Sequence, residues 1–297
     1  MNDVDPAALL VLAREVADAA ARVALSWRER ADALTVQEKA GPGDLVSQAD
    51  REAEDAARAV VSARRPSDAV LGEEDGERPG TTGIRWLVDP IDGTTSYLYG
   101  RADWAVSVAA LGPDGRILAG VVVEPALGRT TEASAGGGTW TGGRRVPTLG
   151  QDDLRRALVE INLGRDVQRP LAGRALGVLA TRVRDVRRGG SAAAALGQVA
   201  TGRADAAWLP GLQPWDCAAG VLLVDEAGGT VGDLDGPTPG VVPASGNVLA
   251  APPALWPILR ELLTPVYSPG AGVDRSLSAA ADDPRTPARA VPAPIQE

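Results

Sequence analysis

The sequence predicts an α/β protein in two parts: helices with an antiparallel sheet over residues 1–147, then an α/β half over residues 148–267. Three observations carry this reading. An apolar stripe at helical spacing, and a second segment expected to be helical, come before Pro66. Between Arg85 and Pro147, short apolar runs are separated by glycine-rich turns, the pattern of antiparallel hairpins. Beyond Pro147, strand-like and helix-like segments alternate, which argues for a mixed or parallel sheet covered by helices.

The elements follow in order. Asp5-Pro6 opens the first helix, with Asp as N-cap and Pro at the first helical position. Leu9, Leu12, Val16, Ala20, Val23 and Trp27 form its apolar stripe. A second helix is expected from about Ala49 to Arg65, ended by Pro66. "AVLGEE" reads as a short strand running into a loop at Glu73 and Glu74, and "RWLVDP" as a strand that Asp89 ends. "WAVSVAAL" and "RILAGVVVEP" flank the turn "GPDG". "GRTTEASAGGGTWTGGRRVPT" gives two more strands, and it lacks the Gly-Lys-Ser/Thr of a nucleotide loop. Then come "ALVEINL" (strand), "VQRPLAGRALGVLA" (helix), "RVRDVRRG" (strand), "SAAAALGQVATG" (helix), "RADAAWLP" (strand) and "WDCAAGVLLVDEAGG", a helix with a glycine cap. Residues 268–297 are rich in Pro, Ala, Ser and charge without periodicity, and a disordered tail is expected there.

Composition narrows the chemistry. The chain has no histidine, which excludes Ser-His-Asp triads, HExxH zinc sites and every metal site that needs imidazole. Cys217 is the lone cysteine, so no intrachain disulfide is expected. The sixth residue after it is Leu223, not the arginine of a cysteine-phosphatase loop. A net charge of −9 argues against nucleic acid or an anionic membrane as partner. No apolar run suits a bilayer and the N-terminus lacks a signal-peptide pattern, so a cytoplasmic protein is expected. Catalysis would have to run on carboxylates, hydroxyls and hard cations.

The carboxylates gather at junctions. Glu73 follows a strand in "LGEEDGE", Asp89 and Asp92 flank Pro90-Ile91 in "VDPIDGTT", Asp216 begins a helix in "PWDCAAG", and Asp50 begins one in "GDLVSQAD". Two aspartates so close repel unless something compensates them: a cation, a nucleophilic role, or water at a loop. Mg²⁺ takes oxygen ligands in near-octahedral geometry. A turn through Pro90 can direct both carboxylates and the Ile91 carbonyl toward one point, with Thr94 adding a hydroxyl. Successive amides at Gly93, Thr94 and Thr95 can cradle an anion if they open a helix.

These segments resemble the inositol monophosphatase family of Mg²⁺-dependent, lithium-sensitive phosphatases, in a bacterial form. The resemblance rests on "GDLVSQAD", "GEE", "WLVDPIDGTTSYLYG", "GGSAAAALGQVATGRADA" and "PWDCAAGVLLVDEAGG", spread from about Lys39 to Gly229. It implies a layered αβαβα fold with the site between the two halves. It also implies a phosphomonoesterase acting by metal-activated water on a small phosphorylated metabolite, inositol monophosphate first, with two to three Mg²⁺ ions (or Mn²⁺). By the same resemblance, Glu73, Asp89 and the Ile91 carbonyl hold the first ion; Asp89, Asp92 and Asp216 hold the second; a third again involves Glu73. Asp50, Thr94 and Glu73 match catalytic positions. Asp92, Gly93, Thr94, Gly190, Ser191, Ala192 and Asp216 match positions that meet the substrate. Homodimers are common in the family.

One departure bears on the substrate. Animal inositol phosphatases carry a ring-binding glutamate seven residues before the WD aspartate, where this chain has Leu209. Histidinol phosphate, fructose 1,6-bisphosphate and 3′-phosphoadenosine 5′-phosphate therefore stay open as alternatives. Lys39 falls where relatives often carry a lysine near the site. "GDLDGPTPG", Asp233 to Gly240, resembles the nucleophile motif of haloacid-dehalogenase-type phosphatases, but Pro237 interrupts it and a hairpin is the better reading. A metal-binding scaffold is the non-enzymatic alternative.

Overall fold

A computed structural model describes residues 4–30, 36–38, 45–147, 149–164 and 167–268. Lys39 and all of the expected tail except Ser268 lie outside the described residues. The helices α1 (Pro6–Arg28) and α2 (Gln48–Arg64) bracket a short hairpin of β1 (Val36–Glu38) and β2 (Leu45–Ser47). Asp5 caps α1 as expected, its Oδ1 accepting the Ala7 N–H at 2.9 Å.

An eight-stranded sheet follows, in the order β10-β9-β8-β7-β6-β5-β3-β4. Its strands are β3 (Ala69–Gly72), β4 (Gly76–Arg78), β5 (Arg85–Asp92), β6 (Ala105–Leu111), β7 (Ile117–Glu124), β8 (Arg129–Ser134), β9 (Gly138–Thr141) and β10 (Arg144–Arg145). Three details differ from the sequence reading. The "GEEDGE" segment is not an open loop but the tight turn and return strand of a β3–β4 hairpin. The glycine-rich stretch gives three strands rather than two. The strand β5 does not end at Asp89; it continues to Asp92 through an irregularity and leads into the short helix α3 (Thr94–Leu98).

The second sheet has five strands, β12-β11-β13-β15-β14. Its elements, with their helices, are β11 (Leu158–Ile161), α4 (Arg169–Ala180), β12 (Asp185–Arg187), α5 (Ala192–Ala200), β13 (Ala206–Leu209), α6 (Pro214–Glu226), β14 (Thr230–Gly232), β15 (Val248–Ala251) and α7 (Trp256–Tyr267). Strands β11, β12 and β13 run parallel, and β14 and β15 join antiparallel, so the sheet is mixed. β15 and α7 carry weak sequence signals. β15 is four apolar residues without a period, and α7 contains both Pro257 and Pro265.

Three apolar cores hold five layers together, the middle one reaching both sheets from the helices between them. Helices α1 and α2 cover one face of the large sheet. Helices α5 and α6 fill the space between the sheets. Helices α4 and α7 cover the far face of the small sheet. The strands show why both faces are apolar. In β13, Ala206 and Trp208 face the outer core while Ala207 and Leu209 face the middle one. In β5, Trp86 and Val88 turn to α1 and α2, and Leu87 turns to the middle layer. A period of two with both sets buried reads in sequence as a continuous apolar run. Helix α6 is likewise buried from Cys217 through Val224, so it has no polar face. It sits so close to α5 that a Cβ on Gly220 would stand 2.4 Å from the Leu196 Cβ. With no Phe, the fully buried Trp86, Trp104 and Trp208 supply the aromatic bulk. Among the described residues, no helix is long and apolar enough to cross a membrane.

Candidate active site

The site forms where β5 leaves the large sheet. Residues three apart on a regular strand point to opposite faces. Here Asp89 pairs with Ser107 and Asp92 with Ala105, so three steps on β5 match two on β6. The extra residue, at Pro90-Ile91, is a bulge, and it brings Asp92 back to the side of Asp89. Both carboxylates are buried, at 1% and 8% exposure. Asp89 Oδ1 accepts the Ile91 N–H at 3.1 Å.

Two other elements bring carboxylates to Asp89. Glu73 opens the β3–β4 turn, and its N–H donates to the Val88 carbonyl at 3.3 Å. Asp216 lies in the first turn of α6, where its Oδ2 accepts the Gln213 N–H at 2.8 Å in a capping box. Ser107, opposite Asp89, donates to the Trp215 carbonyl at 2.9 Å and so ties the start of α6 to the sheet. One oxygen each from Glu73, Asp89 and Asp216 lie within 4.8 Å of one another.

This crowding has an electrostatic signature. Burial pushes the Asp89 carboxyl well up from its ordinary pKa, and the charges of Glu73, Asp92, Asp216 and Asp50 push it further. Asp92 is pushed up to about 7, first by burial and then by Glu73, against the hydrogen bonds from Ser191 and Ala193. Oxygen ligands converging from three elements, one of them buried among like charges, suit a hard divalent cation. The donor set holds no sulfur or imidazole, which would favour softer metals.

Asp92 has a different neighbourhood from the triad. Its Oδ2 accepts the Ser191 hydroxyl at 2.7 Å and the Ala193 N–H at 2.6 Å. Ser191 is the N-cap of α5, its own Oγ accepting the Ala194 N–H at 2.9 Å. Asp92 thus joins the bulge of β5 to the start of α5. Gly190 and Ala192 flank that cap, and Gly190 passes so near Ser96 that a Cβ would stand 2.8 Å from its Oγ. Gly93 has φ 93°, a left-handed conformation that glycine adopts without strain. A Cβ there would stand 3.3 Å from both the Asp103 carbonyl oxygen and the Ser191 nitrogen.

Thr94 begins α3, and its hydroxyl lies 3.2 Å from Asp50 Oδ1 and 3.2 Å from the Ile91 carbonyl, sharing one proton between two acceptors. Asp50 is buried at 1% exposure in the first turn of α2, and its Oδ2 accepts the Ser47 N–H at 2.8 Å and the Ser47 hydroxyl. Its orientation is therefore fixed from behind.

The remaining candidates separate cleanly. Cys217 is buried, and burial, with Asp216 and Asp92 nearby, raises its thiol pKa well above normal, so it stays protonated. Asp233 is a turn residue: its Oδ1 accepts the Asp235 and Gly236 N–H groups at 2.9 and 3.3 Å, and its Oδ2 the Ser245 hydroxyl at 2.7 Å. That is the hairpin reading, with a bridge between Gly232 and Pro237. Leu209 is a core residue of β13 at 1% exposure. Sequence reasoning passed over Ser107, whose type and place in an apolar strand give no signal.

Comparison with known proteins points to one family. A sequence model of the inositol monophosphatase family matches residues 5–267. An inositol-1-monophosphatase from Mesorhizobium japonicum is 44% identical over 200 residues, 66% of this chain and 74% of that protein. A protein named Nus factor SuhB from Pseudomonas aeruginosa is 37% identical over 243 residues, 77% of this chain and 86% of that one. The crystal structure of the suhB protein of Bartonella henselae superposes with a TM-score of 0.81 at 33% identity, covering 86% of this chain and 98% of that one. An inositol monophosphatase structure from Anabaena gives 0.75 at 29% identity, over 87% and 96% of the two chains.

Proposed function

The chain belongs to the inositol monophosphatase family of phosphoric monoester hydrolases, and from that premise we propose that it hydrolyses inositol monophosphate in a Mg²⁺-dependent reaction. The observation that carries the proposal is the meeting of Glu73, Asp89 and Asp216 oxygens within 4.8 Å, beside the hydrogen-bonded Thr94 and Asp50.

In this reading Glu73, Asp89 and the Ile91 carbonyl would hold a first cation, Asp89, Asp92 and Asp216 would hold a second, and a third would again involve Glu73. Bound there, Mg²⁺ supplies positive charge for the phosphoryl oxygens and Lewis acidity for water and the leaving oxygen. The chain's own groups position the reactants. Thr94 Oγ1, donating its proton to Asp50, would accept the proton that a water gives up while passing its own to the Asp50 carboxylate. Asp50, held by Ser47, keeps that hydroxyl oriented and can take the proton onward. The backbone at Gly93 and Thr94 meets the phosphate, and Gly190, Ser191 and Ala192 line the place of the alcohol, with Asp92 and Asp216 beside it. These groups come from both sides of residue 147, so the two halves, 1–147 and 148–267, each supply part of one site.

Inositol monophosphate is favoured by the names of several relatives. Leu209 bears on selectivity, because a buried leucine offers no acceptor to a ring hydroxyl. The test is phosphate release with Mg²⁺ from inositol 1-phosphate, histidinol phosphate, fructose 1,6-bisphosphate and 3′-phosphoadenosine 5′-phosphate, each repeated with chelator. The highest kcat/KM is expected for inositol 1-phosphate. A preference for another of the four refutes the substrate assignment, and release that survives chelation refutes the cation requirement.

A further inference from the structure

The turn that carries Glu73 is gripped from beneath by a carboxylate with no part in the chemistry above. Glu54 sits on α2, four residues beyond Asp50, and is completely buried at 0% exposure. Its Oε2 accepts the Glu74 N–H at 2.7 Å and its Oε1 the Asp75 N–H at 3.1 Å. Arg58, one helical turn further on, donates its Nε–H to Oε1 at 2.7 Å and its Nη2–H to the Gly76 carbonyl at 2.5 Å. Residues 74, 75 and 76 are thus all bound to α2, and the Glu73 amide is bound to Val88. The fit is closed from above too, since a Cβ on Gly72 would stand 2.3 Å from the Glu54 carboxyl.

A buried carboxylate is costly unless hydrogen bonds and a counter-charge compensate it. A hairpin turn alone does not call for one; small turn residues close hairpins without such help. What a carboxylate accepting two consecutive amides adds is a fixed path for the backbone, through short charge-assisted bonds. The residue whose direction depends on that path is Glu73, the member of the triad delivered by this turn. Asp50 and Glu54 share one face of α2, at i and i+4. One helix face therefore presents both the group behind Thr94 and the group behind Glu73.

We propose that Glu54, backed by Arg58, is a positioning residue that sets the Glu73 carboxylate at the spacing a divalent cation requires. The proposal rests on the reading of Glu73 as a cation ligand, and the experiment separates the two. Mg²⁺ binding to the full chain is measured by calorimetry for the wild type, Glu54→Gln, Arg58→Lys and Glu73→Gln. Hydrogen exchange of the Glu74 and Asp75 amides is followed in metal-free protein. Glutamine keeps the shape of Glu54 but turns an NH₂ toward one of the two amides. Glu54→Gln is expected to weaken Mg²⁺ binding by about 10–100-fold, the usual cost of losing a group that orients a ligand. Its kcat should recover at saturating Mg²⁺, and both amides should exchange faster. Arg58→Lys, which keeps a positive charge beside Glu54 on a partly buried side chain, is expected to keep the fold and shift binding and exchange the same way by less. Wild-type affinity and wild-type amide exchange in Glu54→Gln would overturn the proposal; if that variant does not fold, the same outcome in Arg58→Lys does so. Loss of binding in Glu73→Gln beside intact binding in Glu54→Gln removes the positioning role alone. Intact binding in Glu73→Gln removes the ligand reading and the proposal with it.

Discussion

Asparagine in place of Asp89 is expected to stabilise the metal-free protein while abolishing phosphate release. The Asp89 side chain is buried, and one of its oxygens lies within 4.8 Å of one oxygen each of Glu73 and Asp216. At the 4.8 Å limit, a pair of unit charges in an effective dielectric of 20 repels by about 3.5 kcal/mol. Protonation relieves part of that, because the Asp89 pKa is already raised by burial and by its acidic neighbours. Asparagine keeps the Oδ1 that accepts the Ile91 N–H, so no hydrogen bond of that oxygen need be lost. A net gain of about 1–2 kcal/mol is reasonable for relieving a functional compromise of this kind. At about 2–4 °C per kcal/mol for a large domain, the metal-free variant should melt about 2–8 °C above the wild type. Cation reverses the order. At a hundred times Kd, ligand binding adds about 2.7 kcal/mol to the native state, and the variant forfeits most of that. The assay is thermal melting at pH 8, with chelator and then with saturating Mg²⁺, beside phosphate release. A variant that melts below the wild type in chelator, or gains as much from Mg²⁺, would sink the reasoning.

Three further outcomes are expected. Thr94→Ala should lower kcat by about 10²–10⁴-fold, the span of a lost proton-transfer group, and calorimetry should show Mg²⁺ affinity unchanged; Thr94→Ser should restore part of the rate. Asp92→Asn should abolish Mg²⁺-dependent phosphate release with an unaltered circular dichroism spectrum; full activity would contradict its ligand role. Away from the site, burial raises Asp225 from 3.8 to about 6. Its folded pKa exceeds its unfolded one, so its contribution to stability is complete below about pH 4 and is lost as pH rises through 6. That loss is about 3 kcal/mol. Denaturant titrations should show a decline between about pH 4 and 7 that is smaller in Asp225→Asn than in the wild type by about that amount.

Much of the site is legible because its chemistry is concentrated in short segments. "DPIDGT" places two carboxylates, a carbonyl and a hydroxyl within six residues, and no neighbour is needed to notice them. The absence of histidine leaves few alternatives for a hydrolase. Glu54 shows the opposite case. In sequence it is one of several acidic residues on a helix with a polar face, and nothing distinguishes it from the half-buried Glu52 or the exposed Asp55. Its burial depends on the β3–β4 turn folding over α2. The β4 strand was missed for a related reason: "GER" has no apolar pattern, and it pairs only because the turn brings it back beside β3.

The sequence by itself determined the class of chemistry, the α/β alternation, the Asp5 cap of the first helix and the gathering of carboxylates at strand and helix ends. Each depends on side-chain type and on neighbours a few positions away. Only the tertiary structure decided how those residues meet. The bulge at Pro90-Ile91 sets Asp89 and Asp92 on one side of β5, which a period of two would have denied. Packing of α6 between two sheets brings Asp216 to Glu73 and Asp89. Residues far apart along the chain can share one cation's reach only after the core has closed. Their spacing is then fixed by close-packed groups that carry no catalytic signature of their own.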